Sequence, residues 1–490
     1  MTLLSPNEAL LLAVIVPFVG AALIPAFGKW PNIRETVTLA TAGLLLFAAL
    51  QLLSPVLAGD RPEWTGIAVA PGLELAFEVE PLGMLFALIA SSLWIINSIY
   101  SIGYMRGNDE PRQTGFYVCF AIALGATIGL AFAKNLFTLF LFYEALTLST
   151  YPLVAHKQDV EARRGARIYL ALLIGTSMLL FLPAIIATYL IAGTLDFTPG
   201  GILGGKLGSG TMAVLLALYV FGIGKAAVMP IHFWLPAAMV APTPVSALLH
   251  AVAVVKAGVF SITKVIIYIF GLDALVGAGA NVWLVYLASG CIVLASLIAL
   301  TRGNLKARLA YSTVSQLAYV VLGAAIATPL GIMGSGLQMA THAVGKITLF
   351  FCAGAIYVAT HKTEVKELDG IGRTMPVTMI AFLIGSLSII GLPPLGGTWS
   401  KWTLALAAVD NGYLVALGAL MISSLLNVAY LLSIVGRAFF FPPEPGVASG
   451  IREAPLACVI PLSATAGFCV VLFFGAGQVE KLLAAMFASR

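Results

Sequence analysis

The chain has 490 residues, of which 60% are hydrophobic and 10% charged, more apolar surface than a water-soluble core could bury, so it belongs in a bilayer. A net charge of +5 comes without a basic stripe of interleaved aromatics, which argues against a nucleic-acid surface. The five cysteines are scattered with no CxxC pair, and no glycine-rich phosphate loop follows a strand pattern, so no cluster, disulfide framework, metal or nucleotide cofactor is expected.

A hydrocarbon layer about 30 Å thick takes about 20 apolar residues per helix. Fourteen such segments follow one another: spans 1 to 14 are 9–28, 36–57, 82–105, 115–133, 135–155, 166–191, 211–241, 244–270, 282–301, 309–328, 331–360, 376–409, 413–438 and 455–476. The polar connection 58–80 alternates in short pieces and predicts an external hairpin. The loops after odd-numbered spans hold sixteen lysines and arginines, among them Arg106, Arg112, Lys157, Lys306, Lys362 and Arg437, whereas those after even-numbered spans hold only Arg61, Lys134 and Lys206. Basic residues stay in the cytoplasm, so this asymmetry puts both termini outside a cell (inner, cytoplasmic) membrane.

Six charges remain inside the spans: Glu144 in span 5, Lys225 in span 7, Lys256 and Lys264 in span 8, Lys346 in span 11 and Lys401 in span 12. An ionisable group at the centre of a spanning helix costs about 2.5–3.5 kcal/mol on insertion scales, so such groups need partners, water or a function. Lys264 lies near a helix end and is expected to snorkel to the interface. His250 and His342 are polar neighbours of these lysines; His342 and Lys346, four apart, share a helix face, while His250 and Lys256, six apart, need a water or a bend between them.

Two spans carry helix-breaking prolines. Pro230 and Pro236 interrupt span 7 just after Lys225, and Pro393 and Pro394 interrupt span 12 just before Lys401. Unwound backbone in lipid survives only where protein buries it or water reaches it, and a pair of broken helices in corresponding places points to inverted repeats. The breaks are five spans apart. Residues 115–270 and 282–438 are therefore expected to form two five-helix units of opposite topology, between an N-terminal segment 1–114 and a C-terminal helix in 439–490.

The stretches FLFYEALTLSTYPLV (140–154), GIGKAAVMPIHFWLPAAMVAPTPVSALLHAVAVVKAGVF (222–260), LKARLAYSTVSQLAY (305–319), THAVGKITLFF (341–351) and GLPPLGGTWSKW (391–402) closely resemble the proton-translocating, antiporter-like subunits of respiratory complex I and Mrp-type cation/proton antiporters. The resemblance implies an all-α membrane fold of about fourteen helices, two inverted repeats each forming a half-channel, and a polar axis at the membrane midplane. On it the family's fifth-helix acid falls on Glu144, its seventh-helix lysine on Lys225, its eighth-helix base on Lys256 and its twelfth-helix ionisable residue on Lys401, with His342 and Lys346 at its polar positions in the eleventh span. Lysine at 401 and a chain that stops shortly after its last span are similar to the Mrp antiporter's D component. The alternatives are a proton-pumping subunit of complex I or of a membrane-bound hydrogenase, and a solute carrier acting alone. The partners implied are other membrane subunits, with protons, and sodium or potassium through the complex, as cargo and no redox chemistry on this chain. One departure stands out: relatives commonly read aspartate-leucine-lysine-arginine where this chain has Asn304-Leu305-Lys306-Ala307, which questions a loop ion pair there.

The chemistry expected from the residues themselves is a relay. Glu144 sets the proton affinity of Lys225; Lys256, His250, His342 and Lys346 pass charge sideways; Lys401 exchanges protons at the far end.

Overall fold

The computed structural model describes residues 4–70, 73–443 and 450–487, without the side chains of residues 67, 70, 249 and 250. With no water in the hydrocarbon to bind peptide groups, the backbone closes its hydrogen bonds within helices. Span 1 (Pro6–Leu23) opens on a capping box in which Ser5 Oγ accepts from Glu8 N and Glu8 Oε2 accepts from Ser5 N. Asn135, Asp159 and Thr328 cap spans 5 (Leu136–Val154), 6 (Val160–Ala192) and 11 (Pro329–Thr360), each side chain accepting from the backbone nitrogen three residues on.

Among the described residues, eleven helices are long and apolar enough to cross a membrane. Span 8 joins them when Val254–Phe270 is taken with the short helix Leu272–Ala278, bent from it by 81°. The remaining two of the expected fourteen are spans 7 and 12. Their leading helices, Ser209–Gly222 and Pro376–Ile390, are apolar but stop short, and the chain resumes as helix only at Trp234–Ala237 and Gly397–Asp410. Span 14 runs Leu456–Ala484, further than the apolar run alone indicates.

The connections sort into two faces. On one, odd-numbered loops bind each other: Arg106 Nη2 meets Glu35 Oε2 at 2.5 Å, Arg112 donates to His156 O at 2.7 Å, Lys306 to Ala241 O at 2.6 Å, and Arg437 Nε lies 2.8 Å from Asp369 Oδ1. On the other, even-numbered loops do the same. Strands β1 (Glu63–Ala70) and β2 (Leu73–Glu78) pair antiparallel with Trp64 opposite Phe77, as the 58–80 alternation predicts. β2 then docks on the next even loop through Glu78 N to Phe132 O and Lys134 N to Ala76 O. Because the faces alternate strictly, the helices of spans 7 and 12 cross in opposite directions.

Span 10 (Leu305–Ile326) is buried from Arg308 to its end and span 11 packs against spans 3 (Pro81–Gly107), 8, 10, 12 and 14, so these two helices form the core. His156, in an odd loop, is also buried: its Nε2 lies 3.8 Å from Glu110 Oε2, and burial pushes its imidazole below the ordinary histidine pKa. The Asn304 departure has a local reason. Its side-chain oxygen caps span 10 by accepting from Ala307 N, and its Nδ2 donates to Glu364 Oε1 at 3.1 Å. An amide can serve both contacts, whereas an aspartate would face the Glu364 carboxylate.

Candidate functional site

Helix geometry stops in span 7 at Ile223, and Lys225 sits in the single tight turn Gly224–Ala226, followed by Ala227 in the left-handed region at φ +52°. Two features make this turn possible. Trp234 Nε1 donates to Gly224 O at 2.9 Å, replacing a lost helical donor, and Gly258 of span 8 presses so close that a Cβ there would lie 2.1 Å from Ala226 N. Lys225, fully buried, reaches across to span 5, where its amine donates to Tyr143 O at 2.8 Å and Thr147 Oγ1 at 2.5 Å. Glu144 is on that same helix but does not touch it. Among the described residues neither of its buried carboxylate oxygens has a hydrogen-bond partner. It shares a stripe with Leu141 and Leu148, 43% and 59% exposed, on the outer side of span 5.

Span 12 breaks in a related way. Ile390 O and Ile389 O would be met four residues on by the nitrogens of Pro394 and Pro393, which carry no hydrogen. The chain turns at Gly391, φ +91°, and Lys401 Nζ donates to Ile390 O at 2.8 Å and Ser424 Oγ at 3.0 Å. A cation at the carbonyl end of a half-helix is electrostatically favoured. Lys401 is also reached from outside, along an apolar groove of about 520 Å³ lined by Trp399, Trp402, Met421 and Leu425.

Between the breaks lies a ladder of buried polar groups. Lys256 Nζ is 2.6 Å from His342 Nδ1, joining spans 8 and 11. One turn further along span 11, Lys346 Nζ donates to Ser312 Oγ of span 10 at 2.6 Å. The same hydroxyl is hydrogen-bonded to Tyr430 OH at 2.8 Å, and Tyr430 OH donates to Asn427 Oδ1 through a short hydrogen bond. One turn before Asn427, on span 13 (Leu414–Phe440), Ser424 binds Lys401. Within each helix the steps His342 to Lys346 and Asn427 to Ser424 are neighbours on one face. A second thread runs from Thr341 to Ser400, Gln338 and Gln316 at 3.2, 2.7 and 2.8 Å.

The structure therefore brings Lys256, His342, Lys346 and Lys401 into one polar chain and holds Lys225 against the helix that bears Glu144. No hydrogen bond among the described residues joins Lys225 to Lys256, although the Lys225 turn lies against Gly258, two residues along span 8. The side chain of His250 lies outside the described residues. Lys264 does not snorkel: it is 1% exposed, donating to Ala133 O at 2.7 Å and lying 3.5 Å from Glu80 Oε1. Glu80 is a buried acid that a search for mid-span charges passes over, since it caps the start of span 3. Ser312, Asn427 and Tyr430 escape such a search too. Their signal is uncharged polar residues three or four apart in apolar runs, and a π-helical turn, Val428–Leu432, re-aims Tyr430 and leaves its carbonyl for Arg308 Nη1 at 3.1 Å. Among the described residues no three His, Cys, Asp or Glu side chains gather as a metal site.

Residues 133–427 match the family described as NADH:quinone oxidoreductase/Mrp antiporter, transmembrane. The chain is 30% identical over 472 residues to NADH-quinone oxidoreductase subunit N of Desulforudis audaxviator (strain MP104C), covering 92% of this chain and 93% of that one. It is 28% identical over 447 residues to the D component of the Na(+)/H(+) antiporter of Alkalihalophilus pseudofirmus, covering 89% and 87%. It spans about half the length of two further relatives, NAD(P)H-quinone oxidoreductase chain 5 of Synechocystis sp. and of Picosynechococcus sp.. A chain in the structure of the Mrp complex from Dietzia sp. DQ12-45-1b superposes with a TM-score of 0.89 at 23% identity, over 100% of this chain and 98% of that one. A multi-pass helical membrane fold with broken seventh and twelfth spans, a matching chain of the Mrp complex and a family match over more than half the sequence lead to one conclusion: this chain belongs to the transmembrane family shared by NADH:quinone oxidoreductases and Mrp antiporters.

Proposed function

We propose that the chain is a proton-translocating membrane subunit of a multisubunit cation/proton antiporter of the Mrp D type. The observation that carries the reading is the ladder Lys256–His342, Lys346–Ser312–Tyr430–Asn427 and Ser424–Lys401, a run of titratable and hydroxyl groups from span 8, which packs on the Lys225 turn, to the broken span 12. Apolar residues would fill the same space at lower cost, because each intramembrane charge is worth about 2.5–3.5 kcal/mol against insertion. Glu144 and Lys225 work as an acid and a base whose mutual distance sets their proton affinities: two unit charges about 4 Å apart at an effective dielectric near 20 interact by about 4 kcal/mol, close to three pKa units. Spans 4–8 and 9–13 serve as the two half-channels.

The odd-loop face is the cytoplasmic one, in an inner cell membrane, with both termini outside; the excess of basic residues there supports this. A crevice of about 190 Å³ on that face, lined by Lys157, Lys306 and Thr363, reaches Val240 and Ala241 at the end of span 7 and gives water a route to the first half-channel. Glu144 on an outward stripe and Lys401 in an outward groove suit a subunit whose relay continues into neighbours.

A second reading, a proton-pumping subunit in the membrane arm of a redox complex, is favoured by the 93% coverage of the oxidoreductase relative from Desulforudis audaxviator. Both readings share the relay. In proteoliposomes holding the assembled complex, Glu144→Gln and Lys225→Ala are each expected to slow proton flux by at least about tenfold without loss of assembly. Unchanged flux in normally assembled variants would falsify the transport role.

A further inference from the structure

We propose that Glu80, Lys264 and Tyr268 form a second proton-exchange site, a port that connects the first five-helix unit to the even-loop face. The inference rests on the chain being a proton carrier, and adds a place where protons meet water. Lys264 lies eight residues after Lys256 on span 8, about 12 Å further along the axis. Its amine faces Glu80 Oε1 at 3.5 Å and the ring of Phe197 at 4.6 Å. Glu80 Oε2 accepts from Tyr268 OH at 2.9 Å. All three line a crevice of about 200 Å³, with Arg61, Glu78 and Lys134 also on its wall and Glu63 paired to Lys134 at 2.5 Å. Burial raises the Glu78 carboxyl above the ordinary glutamate range, so this wall holds a second carboxyl that takes a proton readily.

A purely structural role leaves most of this arrangement unexplained. Capping span 3 requires only an acceptor for Leu82 N and Gly83 N, which asparagine, serine or aspartate supplies without a buried lysine or a tyrosine hydroxyl. A buried ion pair is no more stabilising than well-packed apolar groups of the same volume. What the trio adds is a titratable amine and acid at the floor of a polar opening. The step balances simply: the proton leaves Lys264 Nζ for a Glu80 carboxylate oxygen, giving a neutral amine and a neutral acid, and the acid then releases it to water in the crevice. Along span 8 toward Lys256, the intervening Phe260 packs on Phe86 of span 3 with ring centroids 5.1 Å apart.

The test uses the assembled complex in oriented vesicles. Lys264→Arg keeps the ion pair but cannot give up a proton, and Glu80→Gln keeps an acceptor for the span 3 amides but cannot take one. Each is expected to lower flux by at least about tenfold with assembly intact. Lys134→Cys, at the crevice mouth, is expected to lose flux on treatment with a membrane-impermeant, charged methanethiosulfonate from the even-loop side alone. Normal flux in Lys264→Arg and Glu80→Gln, while Lys225→Ala abolishes it, overturns the port and leaves the relay standing. Flux insensitive to the reagent overturns it too. If Lys225→Ala is also silent, the transport reading itself fails.

Discussion

Lys401 answers two needs at once. Its amine replaces the donor that Pro394 cannot give to Ile390 O, and the same bond places a titratable group at mid-depth. Gly391 makes room: at φ +91° it occupies the left-handed region, and a Cβ there would lie 2.7 Å from Lys401 Cδ. Gly391→Ala is therefore expected to destabilise the protein by about 1–2 kcal/mol, seen as a lower Tm, and to slow flux by displacing the amine. Tyr430→Phe removes only the hydroxyl between Ser312 and Asn427. It leaves two buried groups short of a partner, a cost of about 1–3 kcal/mol. Flux is expected to fall several-fold more than in a variant of equal Tm remote from the ladder, measured side by side in proteoliposomes. At this scale the sequence reveals the lysines, because charge in an apolar run is conspicuous. It conceals Ser312, Asn427 and Tyr430, since one hydroxyl or amide hardly alters the hydropathy of a helix and only packing shows that two helices, spans 10 and 13, aim them at one another.

Elements differ in how openly they declare themselves. The breaks in spans 7 and 12 are legible because proline removes a backbone donor wherever it stands. The π-helical turns of spans 6, 8 and 13 are not, since one extra residue in a turn has no compositional mark. The hairpin is legible by alternation, but its docking on the loop after span 4 depends on long-range geometry. Asn304 is an element-scale device, capping span 10 while stapling it to the loop before span 12 through Glu364. Asn304→Asp is expected to weaken that staple by about 1 kcal/mol near neutral pH, through two carboxylates in a partly water-exposed site. The like charge raises both acids' pKa in the folded form, so the loss fades as pH falls through the carboxylate range. Adding Glu364→Gln should restore the parent Tm; hydrogen exchange at 303–305 reads the same change locally.

Over the whole molecule, the loop-to-loop bonds among the described residues join odd loops to odd and even loops to even, which makes the sidedness a property of the entire chain and not of any one helix. Lys206→Cys and Lys366→Cys place exposed thiols on the even and odd faces. In intact cells an impermeant maleimide is expected to modify the first and to reach the second only after permeabilisation; the reverse pattern would invert the orientation. Helix order and the pairing of loops by face are legible from hydropathy and charge, because lipid allows so few solutions. Glu80 escapes that logic: it stands one residue before a helix, where an acid reads as a loop or cap, and its partner Lys264 reads as a snorkelling tail.

The grip of Lys225 on span 5 has a mechanical corollary. Its ammonium leans on the carbonyl of Tyr143 and the hydroxyl of Thr147, groups that flank Glu144 along the same coil. In the relay proposed above, the lysine tip trades those neutral footholds for the carboxylate by swinging around one turn of a single rod. On the proposed reading such a stroke is the length of a side chain, and the chain would change its electrical state while its backbone stands still.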